Sequence, residues 1–409
     1  MDTRRDFIRK TAVSAFGLSG LSISLQALND PEHILAGAVI AEDVRRSLLL
    51  KEGLVYMNTG SLGPSPAWVS QRIFEITRIL ESNPVVQNWD MLGKEMEAVR
   101  AKAAAFLNCA IDEIVLTRNT TEGLSMVSST LKLHARDEIL TTNHEHGGGE
   151  TGLEYLAGVS GAKVVKLVIP MPAEGVEQVV DSVVSAITPQ TRVLLLSHVT
   201  TITGLRMPLR QIAEAIRGRD IIFIADGAQA AGMIPVNVKD LGVDVYATSG
   251  HKWLMGPKET GMLYVNKDIR DKINPVFIAS GYQSYSASSG TRNVAQIIAF
   301  GEVLDWHEKM GRCNVEKQCR DLCDYCYLQL GKIQGVKIIS PSDLRLRSAM
   351  VSIDIEGDTP KSMVFESLRA DDIIVKSLPK YNALRLSNHI FNTKEDVDKM
   401  IAGLKKYIR

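Results

Sequence analysis

Residues 221–253 read IIFIADGAQAAGMIPVNVKDLGVDVYATSGHKW, and this stretch decides the predicted fold. It contains two apolar runs of strand length: the first ends at Asp226, and the second leads into a Ser-Gly-His-Lys cluster that ends at Lys252. Continuous apolar runs are typical of strands that are buried on both faces of a sheet. Because ligand sites of such sheets lie at the carboxyl ends of the strands, we expect the carboxylate and the amine in one site.

The same pattern recurs on both sides of this stretch. Apolar runs alternate with segments of helical length, which predicts an α/β fold with a mostly parallel, seven-stranded sheet covered by helices. Towards the C-terminus, strand-like segments such as residues 350–355, 373–376 and 383–387 mix with helices and predict a smaller α+β domain. The predicted strands of the large sheet are residues 114–117, 138–142, 164–168, 193–197, 221–226, 243–248 and 262–265.

A chain of 409 residues exceeds one ordinary domain. We divide it into a signal peptide (1–38), an N-terminal segment that joins the small domain (39–66), a large domain that carries the predicted ligand site (67–310) and a small C-terminal domain (311–409). The 47 basic and 47 acidic residues balance, which argues against a nucleic acid or an anionic membrane held by bulk electrostatics. A small-molecule enzyme fits this composition better.

The N-terminus has the pattern of an export signal. A basic head over residues 3–10 precedes residues 11–28, which carry no charge and are interrupted by Ser and Gly, too weakly apolar for a stable membrane span. Arg4 and Arg5, with Phe7 two residues further on, resemble the twin-arginine signal, which implies the twin-arginine export machinery as a partner and a periplasmic location. An ordinary amphipathic helix is the alternative, and it would leave the protein cytoplasmic. The clearest cleavage motif is Ala-Gly-Ala at residues 36–38.

Asp226 and Lys252 together suit pyridoxal 5′-phosphate, since the carboxylate can pair with the ring nitrogen and the amine can bind the aldehyde. A lone lysine is typically a solvated surface residue, but Lys252 follows a buried run and stands beside a tryptophan. Asp226 has an alternative role as the cap of the next turn. Gln229, three residues on, and Thr201, at the end of the preceding predicted strand, face the same region.

Residues 119–124, Asn-Thr-Thr-Glu-Gly-Leu, follow a predicted strand and open a helix. The hydroxyls of Thr120 and Thr121, with the free N–H groups of a helix N-terminus, make an anion site, to which we assign the cofactor phosphate. Ser249 and His251 would add donors from the other side. The same residues are also an ordinary helix-capping signature.

His144 and His146 lie in a predicted turn before three glycines. One imidazole would stack on the cofactor ring and hold it against Asp226. A metal site built from His144, Glu145 and His146 is disfavoured, because no further cluster of His, Asp or Glu stands near them in the sequence. Cys319, Cys323 and Cys326 share a helical face by their spacing, which favours core packing over metal binding.

Arg385 lies inside the apolar segment 382–387. A buried guanidinium requires a carboxylate, and an amino-acid substrate supplies one in bidentate geometry, although a structural ion pair would serve as well. Residues 55–66, VYMNTGSLGPSP, run from a short strand into a loop that offers polar groups at a cleft, or that is a plain entry loop. We expect Asn58 of this loop to contribute to substrate binding.

These segments resemble the class V aminotransferases, a family of fold-type I pyridoxal-phosphate enzymes, in the branch that contains cysteine desulfurases, selenocysteine lyases and isopenicillin N epimerase. The resemblance extends from residue 55 to the C-terminus, and the pair ADGAQAAG and SGHKW is its most specific part. Other segments follow in the order expected for the family: NTGSLGP, TRNTTEG, EHGGGE, SHVTTITG, GTRN and ALRLSNHIFNT.

The resemblance implies specific roles around the cofactor ring. Lys252 would be the Schiff-base lysine, Asp226 would pair with the pyridine nitrogen and His146 would stack on the ring. Gln229 would lie near the phenolic oxygen.

The resemblance also implies contacts away from the ring. Thr121, Ser249 and His251 would bind the phosphate, and Arg385 would bind the substrate carboxylate. Thr291 would reach the site from a partner subunit, because the family implies a homodimer with shared active sites.

Two departures from the desulfurases affect the predicted reaction. Residues 375–381 contain no cysteine, whereas desulfurases carry a persulfide-forming cysteine on this loop, so desulfuration through a persulfide is not expected. Thr201 stands where desulfurases carry an asparagine and resembles the epimerase-like and lyase-like members, which favours the epimerase-like branch. We therefore predict an aminotransferase or epimerase acting at Cα of an amino acid. The alternatives are a β-lyase acting on the C–S bond of a cysteine derivative, and a protein that binds the cofactor or a ligand without catalysis.

Overall fold

The computed structural model describes residues 41–273, 291–357 and 360–408. The predicted signal peptide and its cleavage motif lie outside the described residues. The α-helices are α1 (Ala41–Arg46), α2 (Ala67–Ser82), α3 (Pro84–Trp89), α4 (Met91–Leu107), α5 (Thr120–Ser128), α6 (Gly147–Ser160), α7 (Val176–Ser185), α8 (Leu209–Ala215), α9 (Val238–Leu241), α10 (Val294–Met310), α11 (Arg312–Leu330), α12 (Lys361–Ala370) and α13 (Lys394–Tyr407). The β-strands are β1 (Val55–Tyr56), β2 (Ile114–Thr117), β3 (Glu138–Thr142), β4 (Lys163–Leu167), β5 (Thr191–Ser197), β6 (Ile222–Asp226), β7 (Val245–Ser249), β8 (Gly261–Val265), β9 (Val336–Ile338), β10 (Met350–Ile355), β11 (Ile373–Ile374), β12 (Lys376–Leu378) and β13 (Ala383–Ser387).

The large sheet has seven strands in the order β2-β8-β7-β6-β5-β3-β4. Strand β8 runs antiparallel to both of its neighbours, and the remaining pairs are parallel. The predicted α/β fold with a mostly parallel, helix-covered sheet is therefore confirmed. The edge strand β4 ends at Leu167, one residue earlier than predicted, and Val168 beyond it is 72% exposed.

The continuous apolar runs have a direct cause in the packing. Alternate residues of a strand point to opposite faces of the sheet. In a sheet with one face exposed to water, every second residue of a strand would therefore be polar. In β5, Leu194 and Leu196 belong to one buried cluster, whereas Val193 and Leu195 belong to another on the opposite face. Since both faces are covered, both sets of positions have to be apolar.

The second sheet is antiparallel, in the order β12-β13-β10-β9, and packs its own apolar core against α11, α12 and α13. Strand β1 of the N-terminal segment pairs in parallel with β11, which ties residues 55–56 to this part of the molecule. The prediction of one continuous strand over residues 373–376 is wrong. The chain leaves β11 at Ile374 and enters β12 at Lys376, because β11 pairs with β1 while β12 pairs with β13.

Helix α11 connects the two cores. Its residue Cys319 packs in the large core, and Cys323 and Cys326 pack in the small one. All three thiols are buried, in agreement with the packing interpretation. The boundaries of the four predicted segments of the chain stay predictions. In the part of the chain that the structure describes, no helix is both long and apolar enough to cross a membrane.

Candidate active site

A cavity of about 1170 Å³ opens at the carboxyl ends of the parallel strands, next to β12 and β13. A volume of this size accommodates a cofactor together with a small substrate. The cavity brings together ten of the predicted site residues: Thr120, Thr121, His146, Thr201, Asp226, Gln229, Ser249, His251, Lys252 and Arg385. Asn58 and Thr291 do not line it.

Asp226 ends β6 and is 5% exposed. One of its carboxylate oxygens accepts a hydrogen bond from the backbone N–H of Ala228 at 2.9 Å, so the capping role is real. The described residues donate no hydrogen bond to the other oxygen, and Asp226 also lines the cavity. A single carboxylate can thus cap the following turn and accept a hydrogen bond from a ligand.

Glu145 is a buried carboxylate next to this position. It accepts hydrogen bonds from the hydroxyls of Thr142 and Ser197, each at 2.6 Å, and Ser197 is paired with Asp226 across the sheet. Burial, with a further contribution from the Asp226 charge, raises the pKa of Glu145 to about 7, although its hydrogen bonds act in the opposite direction. The sequence places Glu145 at a strand end and offers it as a disfavoured metal ligand, without a role beside Asp226. A charged residue directly after a buried strand was the available signal.

Lys252 follows β7 in the turn that ends the second apolar run. Its ammonium group forms no hydrogen bond with the described residues. Burial lowers the pKa of Lys252 to about 8; Asp226 opposes this shift, and Arg385 adds to it. A lysine in this state supplies a neutral amine close to neutral pH, which nucleophilic attack requires.

The residues of the anion site predicted at the start of α5 lie together: Thr120 and Thr121 line the cavity with Ser249 and His251. The hydroxyl of Ser249 accepts a hydrogen bond from the backbone N–H of Thr120 at 3.0 Å and lies 2.8 Å from the Thr120 hydroxyl. Asn119 caps the helix by accepting from the backbone N–H of Glu122, so the capping interpretation also holds. His251 borders the site, and burial lowers its pKa to about 4, which leaves a neutral ring.

The two histidines of the β3–α6 turn differ in environment. His144 is buried, and its Nε2 atom lies 3.2 Å from the carbonyl oxygen of Ile169, so it belongs to the core. His146 caps α6 by accepting from the backbone N–H of Gly148, and its exposed ring faces the cavity. His146 is therefore the member of the pair that can contact a ligand.

Gln229 lines the cavity, yet protein groups occupy its amide. The Nε2 atom donates to the carbonyl oxygen of Gly60 at 2.8 Å, and the Oε1 atom accepts from the indole N–H of Trp253 at 2.8 Å. Gln229 thereby fixes the N-terminal loop to the turn that carries Lys252. A contact with a cofactor oxygen stays a prediction.

Arg385 is 1% exposed at the centre of β13. Its guanidinium donates to the hydroxyl and carbonyl oxygens of Thr201 at 2.8 and 2.9 Å, and more weakly to Asn58 and Ser61, each at 3.3 Å. The structural ion pair considered as an alternative is absent among the described residues. Burial lowers the pKa of Arg385 to about 10, and its Nε atom is buried without a partner. A buried cation that faces a cavity without an acidic partner is suited to an anionic ligand.

The loop after β1 lies close to both Arg385 and Lys252. A side chain at Gly60 would place its Cβ atom 2.8 Å from Nη2 of Arg385, and one at Gly63 would place it 2.0 Å from the carbonyl oxygen of Lys252. The contacts of Asn58 and Ser61 with Arg385 also come from this loop. Asn58 therefore contacts the guanidinium without lining the cavity, and its predicted contribution to substrate binding stays a prediction.

Thr291 lies in an adjoining depression of about 390 Å³, which is lined also by Arg292 and shares Arg118 and Glu122 with the main cavity. Its side chain is exposed. Within a single chain, the structure does not bring Thr291 to the cofactor residues, so the predicted contribution from a partner subunit stays a prediction.

The residues present fit pyridoxal phosphate. The cavity offers a lysine with a lowered pKa, a carboxylate oxygen without a protein donor, hydroxyls at a helix N-terminus for the phosphate and a buried guanidinium with an orphan N–H. The described residues contain no group of three His, Cys, Asp or Glu side chains that could hold a metal ion.

Residues 66–400 match the family model of the class V aminotransferases. This chain belongs to the class V aminotransferase family. Its membership confirms the family predicted from the sequence, and the family consists of enzymes that use pyridoxal phosphate.

Relatives of this class V family member include different reaction types. The isopenicillin N epimerase of Amycolatopsis lactamdurans is 26% identical over 89% of this chain and 98% of that protein. A probable cysteine desulfurase of Halalkalibacterium halodurans is 29% identical over 86% of this chain and 93% of that protein.

A solved structure of similar fold is the complex of the cystine C-S lyase C-DES with its reaction product cysteine persulfide. Its TM-score is 0.82 at 22% identity, with 88% of this chain and 99% of that chain covered. The predicted fold-type I architecture is confirmed by this similarity.

Residues 375–381, where the sequence lacks a cysteine, contribute Lys376 and Leu378 to the cavity of this family member, and no cysteine lines the cavity among the described residues. The sequence interpretation noted the missing cysteine but overlooked Lys376. Lys376 lies two residues before Leu378 and directly opposite Arg385. A prediction of the strand register would have placed its side chain on the same face of the sheet as Arg385.

Proposed function

We propose that this family member acts at the Cα atom of an amino-acid substrate, as an aminotransferase or an epimerase, with pyridoxal 5′-phosphate as its cofactor. The observation that carries the proposal is the convergence of Lys252, Asp226 and Arg385 on one cavity, with a lowered lysine pKa and no acidic partner for the arginine among the described residues. The similarity to isopenicillin N epimerase supports the epimerase assignment.

When bound, pyridoxal phosphate supplies an aldehyde for covalent attachment and a ring that withdraws electrons from Cα. Lys252 would hold the aldehyde and, once released from it, would move the Cα proton at its Nζ atom. Asp226 would accept the hydrogen bond of the ring nitrogen through its second carboxylate oxygen. His146 would lie against the ring, and Thr201 and Gln229 would border it.

The remaining residues would bind the two anionic ends of the reacting pair. Thr120, Thr121, Ser249 and the neutral His251 would donate hydrogen bonds to the phosphate. Arg385, oriented by Asn58, would bind the α-carboxylate, which places Cα near Lys252.

Incubation of the purified holoprotein with amino acids in deuterated water tests the proposal. Deuterium at Cα with racemisation indicates an epimerase, and a keto acid with pyridoxamine phosphate indicates an aminotransferase. Pyruvate with a released thiol would instead identify the β-lyase alternative. If the protein had no visible cofactor absorption, or if borohydride fixed the cofactor covalently to Lys252→Ala as it does to the wild type, the enzyme mechanism proposed above would be wrong and a non-catalytic binding role would take its place.

We further propose export through the twin-arginine pathway, on the basis of Arg4, Arg5 and the uncharged run that follows them. Replacing both arginines by lysine should retain the protein in the cytoplasm of a host that has this pathway. Undiminished delivery to the periplasm by the double variant would contradict the proposal.

We also propose a homodimer in which Thr291 contributes to the partner's cofactor site. The exposure of Thr291, and its absence from the lining of the cavity of its own chain, support this arrangement. Sedimentation analysis should give twice the 44.9 kDa mass of the chain, and Thr291→Ala should weaken cofactor retention. A monomer that retains full activity would rule out the shared site.

A further inference from the structure

Lys376 and Arg385 form a pair of cations in the cavity. Strands β12 and β13 are antiparallel, with Lys376 directly opposite Arg385. Residues that oppose each other in this way put their side chains on the same face of the sheet, and both side chains line the main cavity. The two positive charges therefore face the same ligand space.

The described residues leave this pair without a counter-charge. Two acidic residues line the cavity, and one of them, Glu122, forms an ion pair with Arg118 at 2.8 Å. The other, Asp226, lies at the end of β6, where the cofactor ring is expected. Lys376 forms no ion pair or hydrogen bond with the described residues.

The charge of Lys376 extends into the site. Burial is the largest cause of the lowered pKa of His146, and the cations of Lys252, Arg385 and Lys376 lower it further, while Asp226 acts in the opposite direction. Like charges directly opposite each other on neighbouring strands destabilise a sheet. A ligand with negative charge at both positions would remove this repulsion.

We propose that the substrate is an amino acid with a second anionic group on its side chain, which Lys376 binds while Arg385 binds the α-carboxylate. The inference rests on the proposed function, because it takes Arg385 as the α-carboxylate site. The planar fork of a rigidly held arginine suits a carboxylate at a fixed position. A lysine at the cavity wall, with a flexible stem and a point charge, suits the end of a side chain.

A second explanation for Lys376 is available in the fold. Strand β12 is an edge strand, and lysines on edge strands prevent pairing with other chains. Under that explanation, removal of the Lys376 charge would leave ligand preference unchanged. Lys380, which is exposed and whose ammonium lies 5.5 Å from the ring centre of Tyr381, provides a matched lysine outside the cavity.

Calorimetric binding of two unreactive ligands to the holoenzyme separates these explanations. Glutarate carries two carboxylates, whereas glutaramate, its monoamide, carries one. In Lys376→Gln we expect the preference for glutarate over glutaramate to fall about fivefold relative to the wild type, the upper end of the range for an exposed charge pair. Lys380→Gln should keep the wild-type preference. An equal preference in the wild type and Lys376→Gln would overturn the inference.

Exchange of the Cα hydrogen with deuterium, measured with L-glutamate and L-glutamine, distinguishes failure of this inference from failure of the proposed function. No exchange with any amino acid would overturn the proposed function. Exchange with equal kcat/KM for both amino acids in the wild type would overturn the inference and leave the proposed function standing. A higher kcat/KM for glutamate that is lost in Lys376→Gln and kept in Lys380→Gln would support both.

Discussion

The two ends of the active-site cavity are built differently. The cofactor end, which we define as Thr120, Asp226, Ser249 and Lys252, lies at the edge of one sheet, and each residue either ends a buried strand or follows one within three residues. The carboxylate end, defined as Asn58, Lys376 and Arg385, combines an N-terminal loop with two strands of the small antiparallel sheet. Asn58 and Arg385 are in contact although they are 327 positions apart in the chain. The cofactor end therefore depends on local strand geometry, whereas the carboxylate end depends on the packing of distant segments.

This difference predicts separable defects. Changes at the cofactor end should reduce cofactor attachment, and changes at the carboxylate end should reduce substrate binding while the cofactor is retained. The following substitutions and conditions test this separation, beginning with the largest expected effect.

Replacement of Lys252 by alanine removes both the covalent attachment and the group that moves the Cα proton. We expect Cα hydrogen exchange to fall by at least about a thousandfold, within the range of acid–base catalysis, together with loss of the covalent link between cofactor and protein that borohydride can trap. Lys252→Arg keeps the positive charge but cannot supply a neutral amine, so it should be equally inactive. Wild-type rates of Cα hydrogen exchange in Lys252→Arg would show that the reaction needs the positive charge at this position and does not need a neutral amine.

Replacement of Arg385 by methionine removes the proposed carboxylate site. Because the guanidinium is buried and lacks an acidic partner among the described residues, we expect KM for amino acids to rise about a hundredfold, with cofactor absorption unchanged. Arg385→Lys, which keeps the charge without the planar fork, should show a smaller rise. Loss of the cofactor in Arg385→Met would break the separation between the two ends.

The rate at which apoprotein captures the cofactor should depend on pH through Lys252. With its pKa lowered to about 8, the neutral fraction of the amine, and hence the capture rate, should rise about tenfold per pH unit below that value and level off above it. Stopped-flow absorbance at several pH values measures this rate. A rise that continued to pH 10 would indicate an ordinary, unperturbed lysine.

The same lowered pKa affects the stability of the apoprotein. Between about pH 8 and the ordinary lysine value of 10.5, the unfolded chain holds the proton that folded Lys252 has lost. This group therefore makes the free energy of unfolding increase as the pH rises through that window. Denaturant titrations should show the contribution in the wild type and its loss in Lys252→Ala.

Asn58 should have the smallest effect. Its side-chain oxygen accepts a hydrogen bond from Arg385 at 3.3 Å, so Asn58→Ala should raise KM about threefold, as for the loss of one orienting hydrogen bond. Asn58→Asp would place a carboxylate beside the guanidinium and compete with the substrate, so its KM should rise further. Steady-state kinetics of both variants give the comparison. An aspartate variant that bound substrate as well as the wild type would contradict the assignment of Arg385.

The cofactor end could be predicted from the sequence because its signals are local. Asp226 and Lys252 terminate apolar runs, and the strand-end rule brings them together without knowledge of the packing. The strands of the large sheet were located within about two residues for the same reason, since burial on both faces leaves a continuous apolar run.

Features that depend on tertiary packing were harder to predict. The switch at Val375, where the chain passes from β11 to β12, follows from the pairing of β1 with β11, which the local pattern does not encode. Glu145 was overlooked because its partners, Thr142 and Ser197, lie on two different strands. Lys376 was overlooked because its significance depends on its register opposite Arg385.

Covalent trapping of the cofactor tests the central claim most directly. Reduction of the holoprotein with borohydride, followed by digestion and mass spectrometry, locates the lysine that carries the phosphopyridoxyl group. We predict a single modified peptide, with the group on Lys252. Modification of a different lysine, or none under conditions that retain the visible absorption, would contradict the proposed active site.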